Sequence, residues 1–93
     1  SDLGTGVYAV LIKHEGKKYN GVVNIGFNPT FKRDTLSLEA HIFDFEEKIY
    51  GQEIEVFFIR RIRSEIKFNS ADRLVEQIKK DIEAAKKILA DLS

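Results

Sequence analysis

Glu53 to Leu92 reads EIEVFFIRRIRSEIKFNSADRLVEQIKKDIEAAKKILADL, and its apolar period changes midway. Up to Ile62 the period is two. Ile54, Val56, Phe58 and Arg60 fall on one face, and β-branched and aromatic residues dominate, so Glu53–Ile62 is predicted as a strand. From Ser70 the period is 3.6. Leu74, Ile78, Ile82, Ala85, Leu89 and Leu92 recur every three or four residues, while Lys79, Lys80, Glu83 and Lys86 take the solvent side. Ser70 suits an N-cap and Asp72 suits the positive end of the helix dipole. The sequence therefore predicts a last strand followed by one helix over about 70–92.

Upstream, the chain reads as strands alone. Ser1 to Thr5 is small and polar, as at a frayed end. Gly6–Lys13 (GVYAVLIK) is a continuous apolar run, as in a strand buried on both faces. His14-Glu15-Gly16-Lys17 reads as a hairpin turn, with Gly16 able to take positive φ, and Lys18–Ile25 as the returning strand. Gly26-Phe27-Asn28-Pro29-Thr30 carries loop punctuation. Leu36–Phe45 alternates, with Leu36, Leu38, Ala40 and Ile42 on one face and Ser37, Glu39, His41 and Phe43 on the other; Glu46-Glu47-Lys48 then turns the chain. The expectation is a mainly β single domain over 1–93, with strands across about 6–62. A sheet this small solves its edges by curling into an antiparallel barrel, with the helix across one opening.

Composition narrows the function classes. The 93 residues include no cysteine, so thiol chemistry and disulfides are excluded and a reducing, cytoplasmic setting fits. Fifteen basic and fifteen acidic residues cancel, which argues against a phosphate-backbone binder and so against nucleic acid as a partner. No apolar run reaches membrane-spanning length and no targeting segment is apparent.

Few residues stand out chemically. There is no Walker loop, serine nucleophile motif or metal-ligand spacing, and His14 and His41 are expected in surface or sheet roles. Glu39 is a lone carboxylate in mid-strand between apolar neighbours. It reads either as the solvated face of an antiparallel strand or as a base aimed into a cleft. Arg60, Arg61 and Arg63 cluster where the last strand ends. They read either as a solvated end with Glu65 as local partner, or as a contact for an anion or a flat ring. Phe68 stands just before the helix, as a staple onto its first turn or as the wall of a pocket.

Several stretches together resemble a known family. Asn24-Ile25-Gly26 followed by Pro29-Thr30-Phe31, then Glu39-Ala40-His41-Ile42, Tyr50-Gly51, Arg63-Ser64-Glu65-Ile66-Lys67-Phe68 and Gln77-Ile78-Lys79-Lys80-Asp81-Ile82 are similar to the riboflavin kinases in order and spacing, from about Gly6 to Leu89. The resemblance implies a small antiparallel Greek-key β-barrel with a C-terminal helix, and phosphorylation of riboflavin to FMN by ATP and Mg2+. In bacteria the module usually follows an adenylyltransferase domain, which is then an expected neighbour. By resemblance Glu39 matches the catalytic carboxylate. Ile42, Asp44 and Tyr50 fall at nucleotide positions. Arg63 and Phe68 match flavin positions, and Ile66 occupies a third, where relatives often carry lysine. No metal ligand is assigned.

The resemblance has one gap. The family's Gly-rich segment and its Pro-Thr-Ala-Asn motif, which bind ATP phosphates and magnesium, do not occur in this sequence, because Pro29-Thr30-Phe31 lies downstream of Asn-Ile-Gly. The expectation is a fragment of a bifunctional FAD synthetase, inactive alone and prone to self-association through an open sheet edge. The rival expectations are a non-catalytic flavin- or nucleotide-binding module, a single-strand nucleic-acid barrel and a protein-interaction domain.

Overall fold

The structure is a computed structural model and describes residues 3–29 and 34–92. Four strands, β1 (Gly6–His14), β2 (Lys17–Pro29), β3 (Asp34–Ile42) and β4 (Glu55–Arg63), precede one helix, α1 (Ala71–Ala90). All pairings are antiparallel, and the order across the sheet is β3-β2-β1-β4. Three hairpin-linked strands with the fourth returning beside the first is the Greek-key order. The mainly β class and the C-terminal helix are thus as the sequence implies.

Central β1 explains its own composition. Val7, Tyr8, Ala9, Val10 and Ile12 are all buried, because both faces of the strand are covered. Val7 and Ala9 join Val22, Phe43 and the helix residues Ala85 and Leu89 in one cluster. Tyr8, Val10 and Ile12 join Val23 and Ile25 in a second cluster on the opposite face. The turn between β1 and β2 puts Glu15 at φ 49° and Gly16 at φ 78°, the left-handed pair that a two-residue hairpin needs.

Helix α1 starts where expected. Ser70 has extended backbone and its hydroxyl accepts from the Arg73 N–H at 3.2 Å. Its apolar stripe is used unevenly. Ala85 and Leu89 are buried in the core, whereas Leu74 and Ile78 stay more than 40% exposed. The C-terminal half therefore anchors the helix and the N-terminal half stands off the sheet.

Four local expectations change. Gly26–Pro29 is not a loop: β2 runs through it and pairs Gly26 with Ser37 and Phe27 with Leu36. Pairing with a distant strand overrides the local punctuation there, and Thr30 lies outside the described residues. Strand β3 stops at Ile42 rather than Phe45. Asp44 turns with φ 55°, so the chain bends before Glu46, and the Phe43 N–H donates to the Asn20 carbonyl at 2.8 Å. The last strand runs over Glu55–Arg63, starting two residues later than predicted. The N-terminal segment is tied down at Gly4 and Thr5, whose carbonyls accept from the Tyr8 hydroxyl and from Arg61.

Candidate active site

The register places Arg63, Val7, Asn24 and Glu39 in one row across all four strands. Directly paired antiparallel residues share a face, and Val7 lies on the helix face. Glu39 thus projects from the edge strand toward the side that α1 covers. Three strand spacings separate the ends of the row, about 14 Å.

Between this row and the raised half of α1 lies a cleft of about 340 Å³, walled by Val7, Val22, Leu74 and Ile78 and carrying Asn24, Glu39, Arg63 and Asp81. Apolar walls with a few convergent polar groups are the usual make-up of a small-molecule site. Of the two readings of Glu39, an exposed carboxylate on this cleft wall combines both: it meets solvent and faces the cleft.

Arg63 is held at three sites. Its Nε and Nη2 donate to the Asp81 carboxylate at 2.9 and 2.8 Å, and its Nη1 donates to the Ser64 carbonyl at 3.0 Å. Its carbon Cζ stands 5.8 Å from the centroid of the Phe68 ring. Asp81 is 4% exposed and takes a further hydrogen bond from Gln77 Nε2 at 3.0 Å. Glu65 is therefore not the arginine's partner. It accepts from the Phe27 N–H at 3.2 Å, at a point where β2 has outrun β1, whose first residue Gly6 pairs with Ile25.

A second cleft, also about 340 Å³, opens between the end of β3 and the 43–54 connector, lined by Ile42, Phe45, Ile49 and Tyr50 among others. Ala40 and His41, the two residues after Glu39 on β3, line both clefts. Ile42 and Tyr50 thus come together. Asp44 does not join them: it lies with Lys18 and Lys86 on a separate concavity. Ile66 is half-exposed on the β4–α1 connector and lines neither cleft.

Asp81, Asn24 and His41 were not singled out as site residues by sequence reasoning. Asp81 had a readable signal, since it interrupts the apolar stripe three residues after Ile78 and four before Ala85, where a charge needs a partner. His41 shares the face of Glu39 by alternation.

Residues 3–89 match the model of the flavokinase family, described as riboflavin kinase. The chain belongs to the riboflavin kinase family. It is 45% identical over 91 residues to the bifunctional riboflavin kinase/FMN adenylyltransferase of Bacillus subtilis, covering 95% of this chain and 29% of that protein. It is 51% identical over 82 residues to the protein of the same description from Haemophilus influenzae, covering 87% and 27%. A crystal structure described as a macrolide-efflux protein from Streptococcus pneumoniae superposes with a TM-score of 0.83 at 38% identity, over 89% of this chain and 27% of that one. The chain spans under a third of the length of these curated relatives. Among the described residues no helix is long and apolar enough to cross a membrane, and no group of three or more His, Cys, Asp or Glu could hold a metal ion.

Proposed function

We propose that residues 1–93 act as the riboflavin-handling part of a cytoplasmic riboflavin kinase, transferring the γ-phosphoryl group of ATP to riboflavin. One observation carries this reading: Glu39 shares a cleft with Arg63 and Asp81, and the next two residues of its strand, Ala40 and His41, also line a second cleft of similar size. Riboflavin lies along the helix-side cleft. Its flat ring sits at the end held by Arg63 and Phe68, and its ribityl tail reaches toward Glu39. Ile66, on the same connector, closes over the ring when the ligand is bound. ATP takes the second cleft against Ile42 and Tyr50. Asp44 shapes the turn behind this cleft through its left-handed backbone.

In the reaction the riboflavin 5′-oxygen bonds to the γ-phosphorus as the bond from that phosphorus to the β–γ bridging oxygen breaks, and ADP leaves with the electron pair. The 5′-hydroxyl proton passes to the Glu39 carboxylate. Such transfers depend mostly on positioning and on neutralising phosphoryl charge. Mg2+ arrives with ATP as part of the substrate, and none of the roles given to these residues involves binding it. An adenylyltransferase domain that adenylylates the FMN product is the proposed neighbour, supported by the bifunctional descriptions of the relatives.

The test places this chain behind the preceding residues of the Bacillus subtilis relative and follows FMN by chromatography. Glu39→Gln is expected to lower turnover by about 10²–10⁴ with unchanged thermal unfolding, since Glu39 is exposed. Near-parental turnover would remove Glu39 from the mechanism. A parent that bound both substrates without making FMN would favour a non-catalytic binding module.

A further inference from the structure

His14 ends β1 at the hairpin and takes no part in the reaction above. Its side chain is 3% exposed, and a buried imidazole needs partners. Its Nε2 lies 2.7 Å from Oε1 of Gln52, thirty-eight residues away in sequence. An amide oxygen only accepts, so the bond places the proton on Nε2. The ring also meets Phe45 edge-on, with centroids 5.6 Å apart, and Phe45 in turn meets Tyr19 edge-on at 4.9 Å. Glu15 Oε1 is 3.4 Å from the same nitrogen.

Phe45 and Gln52 lie near the two ends of the 43–54 connector, which contains no strand or helix. Ile49 and Tyr50 lie between them on the wall of the second cleft. The Gln52 N–H donates to the Ile49 carbonyl at 3.0 Å, so fixing Gln52 fixes the turn that carries Tyr50. A connector without ladder hydrogen bonds opens easily. Two attachments to one buried side chain on the central strand restrain it at both ends.

We propose that His14 is a positioning residue for the nucleotide-side cleft: it holds the connector so that Ile49 and Tyr50 stand ready for ATP. This deepens the flavokinase reading and rests on it. His14 lines neither cleft, so its effect passes through the connector residues Gln52 and Phe45.

The experiment uses the same chimera with the Bacillus subtilis segment. His14→Phe keeps a ring against Phe45 and removes the donor. Gln52→Ala removes the acceptor from an exposed residue, which keeps the test alive if the buried variant does not fold. Each is expected to raise the KM for ATP about fivefold, the worth of one hydrogen bond, with the double variant no worse than either single. The KM for riboflavin is expected to stay within about twofold, since uniform loss of binding would appear in both constants. Equal rises for the two substrates, or an unchanged ATP constant in Gln52→Ala, would overturn the proposal and leave His14 a packing residue. A parent chimera that makes no FMN would instead sink the flavokinase reading, and this inference with it.

Discussion

The guanidinium of Arg63 and the carboxylate of Asp81 meet fork to fork, Nε to Oδ1 at 2.9 Å and Nη2 to Oδ2 at 2.8 Å, and tie the end of β4 to the middle of α1. With Nη1 given to the Ser64 carbonyl, the arginine's donors are largely spent within the protein. What it offers a ligand is its planar face, which suits a flat ring better than a phosphate. Removing one partner leaves a mostly buried charge unpaired. Asp81→Ala is therefore expected to cost about 3 kcal/mol of stability in urea unfolding. Replacing both, Arg63→Met with Asp81→Leu, is expected to recover most of that loss while still weakening riboflavin binding, read by quenching of riboflavin fluorescence. If the double variant bound riboflavin as the parent does, the pair would be a strut and not part of the flavin wall.

The pair also marks how far the sequence could be read. A carboxylate inside the stripe Leu74, Ile78, Ala85 announces a partner, but Arg60, Arg61 and Arg63 all stood within sequence reach. The choice among them depends on register shifts between Val7 and Tyr8 and between Ala9 and Val10, which no period reveals. The strands and helix were legible because burial enforces their periods. The ends of β2 and β3 were not, because Gly26 and Pro29 look like a loop until β3 pairs with them, and because Phe43 leaves the strand to fill the helix-side core. The grouping of Glu39 with Arg63, twenty-four residues apart, follows from sheet order alone. The resemblance supplied both residues before the order was known, but it also placed Asp44 with Tyr50, which the geometry separates.

Phe68 separates two roles by ligand. As a staple it would support the helix start and affect everything equally. Its ring lies against Arg63, 5.8 Å from Cζ, at the end of the row opposite Glu39. Phe68→Ala in the chimera is expected to raise the riboflavin dissociation constant about tenfold, in keeping with roughly 1–2 kcal/mol for a lost ring contact. ATP binding should change by less than half as much on a logarithmic scale. Equal losses for the two ligands would return Phe68 to the staple role.

Gly26 and Glu65 form a second coupled pair. A Cβ on Gly26 would stand 2.9 Å from Glu65 Oε2, the atom that accepts from the Phe27 N–H. Gly26→Ala is therefore expected to push Glu65 away and lose that bond, at about 1 kcal/mol. The side chain at 65 is flexible, so the sheet itself should survive. In Glu65→Ala the same glycine substitution should cost almost nothing further, since the clash partner is gone. A double-mutant cycle on thermal unfolding reads the coupling, and strictly additive losses would mean that the backbone, not Glu65, requires the glycine.

The outer edge of β3 bears on association. Leu36 is 64% exposed and Leu38 53%, on the face where their partners Phe27 and Ile25 lie. β3 is also one end of the sheet order, so its outer backbone groups have no strand beside them among the described residues. An apolar strand at a sheet edge is a template for another strand, and proteins usually blunt such edges with charge. This chain is therefore expected to self-associate through β3 at tens of micromolar, read by sedimentation velocity. Leu38→Lys should restore the monomer without lowering the unfolding midpoint, because the new charge replaces a side chain that contributes little burial. The same variant should leave the Arg63–Asp81 side of the sheet untouched, since residue 38 points away from the helix. A chain that stayed monomeric at several hundred micromolar would show that the exposed leucines are too sparse to pair two edges.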